Sequence, residues 1–143
     1  MDRNLQSIRL LQVMLAHGEG GAETFFEKLT MAFQAHGLNQ RVLICRNANR
    51  RRRLEAAGCD VVEIPAQGVQ KFLARRRVSR EAERFNPNIQ LAWMSRAAGA
   101  LSRLDGCTNL ARLGGYYKLK YFQRCDHLIG NTPGVLEYLE GAG

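Results

Sequence analysis

The sequence predicts an α/β protein with a single Rossmann-like domain, a doubly wound, mainly parallel sheet of about six strands with flanking helices. Short apolar runs alternate with amphipathic segments at intervals of roughly 20–30 residues, a spacing typical of parallel strands joined by helical crossovers. The first run, Ile8–Leu15, is almost continuously apolar, as in a strand buried on both faces. A length of 143 residues suits one such domain.

The first half of the chain alternates regularly between strand and helix. After the first strand, residues 17–23 form a glycine-rich loop, and Phe25, Leu29 and Phe33 then recur at helical spacing. The elements that follow are predicted as a strand at Val42–Cys45, a helix at Arg51–Ala57, a strand at 61–64 and an Arg-rich helix at 69–84.

The second half continues the pattern with shorter elements. The turn Asn86-Pro87-Asn88 precedes a fourth strand, because proline restricts its own backbone and that of the residue before it. The next elements are predicted as a strand at Ile89–Met94, a weaker strand at Asn109–Leu113, a short aromatic and basic helix at Tyr116–Arg124, a strand at His127–Gly130 and a helix capped by Thr132 and Pro133.

The net charge of +8 is concentrated in one third of the chain, because residues 40–84 hold twelve basic and five acidic side chains. A localised basic region indicates an anionic partner, either a membrane surface or a nucleic acid, unless it is simply a solvated face. No RNA-binding fingerprint accompanies the aromatic and basic segment 116–121, so we expect no nucleic acid. The Arg-rich helix offers an exposed surface for an anionic membrane, with candidates Phe72, Arg75, Arg76, Arg77 and Arg80 beside Val69 and Leu73, or it is an ordinary crossover helix.

Metal, disulfide and targeting signals are weak. The four cysteines form no CxxC pair and no histidine cluster accompanies them, so we expect free thiols, no metal and no cofactor. The sequence lacks a secretory signal and any run near 18 apolar residues, from which we expect a cytoplasmic protein, peripheral on the inner face of the plasma membrane.

The glycine loop carries the strongest chemical signal. Gly20 and Gly21 let the main chain approach a bulky anion, and the helix N-terminus that follows adds partial positive charge. Glu23, in the first helical turn, is a candidate acceptor for a ligand hydroxyl. The alternative is a tight strand–helix turn without a ligand.

Two nucleotide classes fit this loop poorly. A dinucleotide-binding site has the pattern GxGxxG, with an acidic residue about 20 positions later. In this chain Glu23 takes the place of the third glycine, and Arg46 follows the second strand where the acidic residue is expected. NAD is therefore disfavoured, and NADP remains a weak alternative through Arg46. No GK[ST] follows the glycines, which excludes a P-loop.

In context, four stretches of the chain resemble the N-terminal half of the retaining GT-B glycosyltransferases of family 4. They are Gly20-Gly21-Ala22-Glu23 after an apolar strand, the segment 58–62, the segment 86–88, and the segment 125–132. The resemblance spans roughly residues 8–141. It implies that residues 1–143 form the acceptor-side domain, and that the C-terminal domain, which binds most of the nucleotide-sugar, is absent from the chain.

The resemblance also implies a function. Such enzymes transfer a sugar, with retention and typically without a metal, from a nucleotide-diphosphate sugar to glycan or lipid-linked acceptors in lipopolysaccharide or other cell-envelope polysaccharide synthesis. Gly20 and Gly21 would face the donor's diphosphate and sugar, and the chain alone would be inactive. The alternatives are a stand-alone, non-catalytic module that binds a nucleotide or a protein, and an NADP-binding oxidoreductase fragment.

The family pattern leaves the catalytic group unknown. Members often carry a histidine after the fifth strand, where this sequence has Gly114. Arg112 interrupts that strand, and Arg96 follows the fourth strand close to Trp93, which is either core or a stacking platform for a sugar. Asn131 and Thr132 begin the last helix. We therefore take as acceptor-side candidates Arg96, Arg112, Gly114, Asn131 and Thr132.

Overall fold

The computed structural model describes residues 3–65 and 71–142. Six strands form one sheet in the order β3-β2-β1-β4-β5-β6, and every neighbouring pair is parallel. The predicted α/β sheet is thus confirmed. The strands are β1 Arg9–Met14, β2 Asn39–Cys45, β3 Asp60–Ile64, β4 Ile89–Trp93, β5 Thr108–Leu113 and β6 His127–Gly130.

Helices cover both faces of this sheet, so that two apolar clusters lie on its opposite sides. Leu11 and Val13 of β1 belong to one cluster, and Leu10 and Met14 belong to the other. This alternation explains why the first strand is nearly continuously apolar. The helices are α1 Arg3–Gln6, α2 Gly21–Ala35, α3 Ala48–Ala56, α4 Lys71–Phe85, α5 Met94–Ala100 and α6 Pro133–Gly141, with a 3₁₀ helix at Leu119–Phe122.

The second half of the chain departs from the prediction at two places. The strand predicted at Ile89–Met94 ends at Trp93, because Met94 has a positive φ of 69° and begins α5, which the sequence did not predict. The helix predicted at Tyr116–Arg124 is wrong except for one 3₁₀ turn, since Lys118 is extended and only Leu119–Phe122 is helical. Residues 69 and 70 of the predicted Arg-rich helix lie outside the described residues.

The strand order places a topological switch point between β1 and β4. β1 pairs with β2 on one side and with β4 on the other, so the chain leaves their carboxyl ends in opposite directions across the sheet. Doubly wound sheets bind ligands in the crevice that this divergence opens. Within residues 3–65 and 71–142, none of the helices has the length and apolar character to cross a bilayer.

A buried polar network crosses the sheet beneath this crevice. The Nε2 of Gln12 donates to Thr30 Oγ1 at 3.1 Å and to Gln40 Oε1 at 2.9 Å, while its Oε1 accepts from Trp93 Nε1 at 2.9 Å. All four side chains are buried. The network satisfies the indole N–H and ties β1, β2, β4 and α2 together, since buried polar groups need partners.

We predict that Gln12→Leu lowers the free energy of unfolding by about 2–3 kcal/mol, because it orphans the Trp93 N–H and the Gln40 carbonyl. Urea denaturation measures the change. Gln123→Leu, at an exposed position, serves as the control and should have little effect. Equal stability of the two variants would contradict the role assigned to the network.

Candidate functional site

A cleft of about 330 Å³ opens at the switch point, between the loop after β1 and the start of α5. Its walls come from the carboxyl ends of β1 and β4 and from the segment after β5, with lining residues Leu15, His17, Trp93, Met94, Arg96 and Tyr117 among others. The cleft therefore lies where the fold class places ligands.

The glycine loop ends at the N-terminus of α2 with unpaired donors. Gly20 is the N-cap residue, and no side chain caps the helix there. The backbone N–H and the hydroxyl of Thr24 both donate hydrogen bonds to the Gly20 carbonyl, each at 3.0 Å. Among the described residues, none accepts from the amides of Gly21, Ala22 or Glu23. Free amides at the positive end of a helix suit an anion.

Gly20 has no special backbone conformation, and a side chain there would displace the Glu23 carboxylate from the loop. Its φ of −79° is open to any residue. A Cβ at Gly20 would lie 3.0 Å from Glu23 Oε2, and one at Gly18 would lie 3.3 Å from Glu23 Oε1. The Glu23 carboxylate therefore folds back into the loop. A Cβ at Gly21 would meet open space, so Gly21 leaves the loop surface accessible.

Arg50, on α3, fixes this loop by hydrogen bonds to its backbone. It is fully buried, and its two terminal nitrogens donate to the carbonyls of Ala16 at 3.1 Å and Gly18 at 2.6 Å. Its Nε lies 3.5 Å from Glu27 on α2. Arg53 pairs with the same carboxylate at 2.6 Å. The loop is thus attached to both α2 and α3 by groups that the sequence analysis missed.

The basic segment 40–84 is therefore only partly a surface for an anionic partner. Besides Arg50 and Arg53, Arg41 pairs with Asp60 and Glu81, and Arg51 pairs with Glu55 and Glu63. These contacts leave fewer arginines of the segment available to an anionic partner. The four consecutive arginines of 50–53 look alike in sequence. The one usable signal is that Arg50 shares a helix face with the buried Leu54, four residues later.

Arg112 presents a spare hydrogen-bond donor near the cleft. Its guanidinium carbon lies 4.8 Å from the centroid of the Phe25 ring and 5.0 Å from that of Trp93. Its Nη1 is buried and has no hydrogen-bond partner among the described residues. Burial lowers the pKa of this guanidinium below its ordinary value. Trp93 itself is 1% exposed and lies in the core.

The structure brings three of the acceptor-side candidates together at the end of β5. A Cβ at Gly114 would lie 3.7 Å from Asn131 Nδ2 and 3.9 Å from Arg112 Nη1. The backbone N–H of Asn131 donates to the Leu113 carbonyl at 3.2 Å, and this hydrogen bond joins the ends of β5 and β6. A side chain at position 114 would therefore stand between Arg112 and Asn131.

The remaining two candidates occupy separate positions on the same edge. The Thr132 hydroxyl accepts from the Val135 amide at 3.2 Å and caps α6. Arg96 is exposed on α5, lines the cleft and donates to the Leu15 carbonyl at 3.3 Å. Met94, which the sequence did not single out, lines the same wall with a strained positive φ.

We predict that Arg50→Met lowers the free energy of unfolding by about 3 kcal/mol, because the carbonyls of Ala16 and Gly18 lose their buried donor. Chemical denaturation gives the stability, and hydrogen exchange at Gly18–Gly21 reports loosening of the loop. Arg52→Ala, an exposed position on the same helix, is the matched control. Unchanged loop exchange in Arg50→Met would show that the loop holds itself.

Sequence comparison identifies two relatives in Rhizobium meliloti strain 1021. The chain is 32% identical over 127 residues to lipopolysaccharide core biosynthesis glycosyltransferase LpsE, an alignment that covers 87% of this chain and 37% of that protein. It is 32% identical over 128 residues to lipopolysaccharide core biosynthesis glycosyltransferase LpsD, covering 86% and 37%. The chain thus spans little more than a third of either relative's length. No protein-family model matches the chain.

Solved structures show the same fold. MurG of Acinetobacter baumannii superposes with a TM-score of 0.66 at 17% identity, over 89% of this chain and 42% of that one. Anabaena HepE, in complex with UDP and glucose, gives 0.71 at 14% identity, over 95% and 41%. A glycosyltransferase from Rickettsia africae gives 0.69 at 14% identity, over 92% and 38%. The homologues of this chain are thus lipopolysaccharide core glycosyltransferases, and its Rossmann-like fold matches part of these solved structures.

Proposed function

We propose that the chain is the acceptor-side, N-terminal domain of a retaining GT-B glycosyltransferase of family 4. It would act on a nucleotide-diphosphate sugar and a glycan or lipid-linked acceptor in lipopolysaccharide or other cell-envelope polysaccharide synthesis. The observation that carries the proposal is the switch-point cleft, edged by a glycine loop whose helix-terminal amides are free. The homologous core glycosyltransferases support the reaction class.

On the donor side, the loop divides its contacts between phosphate and sugar. The free amides at Gly21 and beyond would donate to diphosphate oxygens, since a helix N-terminus favours negative charge. The Glu23 carboxylate repels phosphate and accepts from hydroxyls, so it would bind the sugar. Arg112 would direct its unpaired Nη1 to a phosphate oxygen.

On the acceptor side, Arg96, Gly114 and Asn131 would border the incoming hydroxyl. Glycine at position 114 leaves room between Arg112 and Asn131 that a larger side chain would fill. The hydroxyl of Thr132 already caps α6. Thr132 would therefore border the acceptor with its backbone and not with its hydroxyl. We assign no catalytic residue, no metal and no cofactor to this domain.

The transferase activity would require a C-terminal, nucleotide-sugar-binding domain as partner. The chain matches only 37% of each relative. The isolated chain would therefore bind ligands weakly and turn over no donor. The proposed location is cytoplasmic, peripheral on the inner face of the plasma membrane.

The exposed face of α4 supports the peripheral location. Phe72 is 67% exposed and Leu73 is 48% exposed. The four arginines beside them, at positions 75, 76, 77 and 80, are exposed and make no ion pair within the part of the chain that the structure describes. Exposed apolar side chains among unpaired cations are typical of a surface that binds anionic lipid.

We predict that this chain, combined with the C-terminal domain, transfers sugar from a nucleotide-diphosphate sugar to a lipopolysaccharide core acceptor. Gly21→Leu should lower the rate at least about tenfold, because its side chain would fill the space left for the donor. Gly141→Leu, also facing open space but on α6, is the control. A transfer assay with radiolabelled donor measures both variants.

Two results would contradict the proposal. Sugar transfer or donor hydrolysis by the isolated chain would show that no second domain is needed. Thermal stabilisation of the chain by NADPH alone, in a panel with UDP-sugars and GDP-sugars, would favour an oxidoreductase fragment with Arg46 at the cofactor phosphate.

We predict salt-sensitive binding of the chain to vesicles that contain phosphatidylglycerol. Arg77→Ala should weaken this binding by about fivefold, since one basic residue contributes ~1 kcal/mol near an anionic surface. Vesicle sedimentation measures the binding, and Arg52→Ala on α3 is the charge-matched control. Absence of sedimentation at low salt would contradict the peripheral location.

A further inference from the structure

A second cavity lies away from the cleft, between α4 and the segment that follows α5. This groove has a volume of about 780 Å³. Among the described residues, five guanidinium groups and one carboxylate line it, from Arg75, Arg76, Arg80, Arg103, Arg124 and Glu83. Its size is within the range of small-molecule sites, and its charge is almost entirely of one sign.

Two of these arginines are held in place by the groove wall opposite α4. Arg103 pairs with Asp126 at 3.3 Å and donates to the Gln123 carbonyl at 3.0 Å. Arg124 donates from Nη1 to the carbonyls of Gly99 at 3.3 Å and Leu101 at 3.2 Å. Their guanidinium groups are therefore oriented before any ligand arrives, which lowers the entropic cost of binding.

The opposite wall supplies arginines without such partners. Arg76 and Arg80 lie one turn apart on α4, so their side chains share a face. Arg75 and Arg80 make no hydrogen bond or ion pair with the chain as far as the structure describes it. Guanidinium groups on two facing walls can bind the same phosphate, and the planar fork suits phosphate oxygens.

A smaller cavity of about 200 Å³ links the groove with the cleft. It shares Leu15, Ser95 and Arg96 with the cleft. It shares Arg75 and Ala100 with the groove. The three cavities thus adjoin one another along α5, and an arginine stands at each junction.

We propose that this groove binds phosphate groups of the acceptor while the acceptor's reacting hydroxyl lies in the cleft. The inference rests on the proposed function, which makes the cleft a sugar-transfer site. It assigns to the acceptor a chemical class, a glycan or glycolipid that carries phosphate groups at some distance from the reacting sugar. The groove shares Phe72, Arg75, Arg76 and Arg80 with the lipid-facing surface of α4. It differs from that surface in its second wall, because Arg103 and Arg124 lie outside α4, and Arg77 lies outside the groove.

The test compares two double variants that remove the same charge. Tripolyphosphate is the soluble probe, titrated calorimetrically into the full chain at low salt. Arg80→Ala with Arg103→Ala removes one arginine from each wall and should weaken binding at least about tenfold, as expected for two lost charge-assisted contacts. Arg52→Ala with Arg77→Ala removes two exposed arginines outside the groove and should weaken binding less than about threefold.

A second arm distinguishes the source of the phosphate. Binding of both double variants to phosphatidylglycerol vesicles is measured by sedimentation. Each double variant removes one arginine from the exposed face of α4, Arg80 or Arg77, so both should lose vesicle binding by about fivefold. Loss of tripolyphosphate binding in the groove variant, with equal loss of vesicle binding in the two variants, supports a phosphorylated glycan. A greater loss of vesicle binding in the groove variant than in the control supports the groove with a lipid headgroup as the source.

The groove assignment is overturned if the two double variants lose tripolyphosphate binding equally, or if the wild-type chain does not bind the probe. Amide chemical shifts of Ser79 and Ser102, which line the groove, locate the probe on the wild-type chain and do not depend on the variants' stability. Shifts confined to other residues also overturn it. Because no donor sugar is involved, failure here leaves the transferase assay of the proposed function unaffected.

Discussion

The buried guanidinium of Arg50 is the interaction on which the site geometry depends. Removing a charge from water costs several kcal/mol, and only close, well-aligned partners offset this cost. Arg50 obtains them from the carbonyls of Ala16 and Gly18. Its Nε lies 3.5 Å from the Glu27 carboxylate, which supplies opposite charge but no hydrogen bond. Because the loop carbonyls are fixed toward α3, the loop is held against the helices and its amide donors at the start of α2 remain free for a ligand.

The sheet could be predicted because its strands are buried on both faces, and such burial leaves continuous apolar runs in the sequence. α5 could not be predicted for the opposite reason. It is a seven-residue helix that begins directly at the end of β4, and Met94 makes the turn with a positive φ that no local residue preference signals. The segment around Lys118 shows a further limit, since aromatic spacing alone did not separate a packed 3₁₀ turn from a longer helix.

The functional site also has some features that the sequence indicates and others that only the packing creates. The loop around Gly20 and the charge of Arg112 within an apolar strand are local features, so the sequence indicates both. Arg50 is one of four consecutive arginines, and its burial is a property of the packing of α3 against the loop. Gln12 is similar: a polar residue in an apolar strand signals something unusual, but only the neighbouring strands supply Gln40 and Trp93 as its partners.

Ion pairs within the chain reduce the number of basic side chains that can act on an external anion. Arg41, Arg51 and Arg53 contact carboxylates of their own chain, so they add little to the field that an external anion experiences. The unpaired cations that remain are concentrated on α4, next to the cavities that adjoin the cleft. Fields from like charges in a concave surface add, which raises the local concentration of anions. A phosphorylated acceptor would therefore be attracted first to α4. From there it would pass Arg75 and Arg96 to reach the cleft.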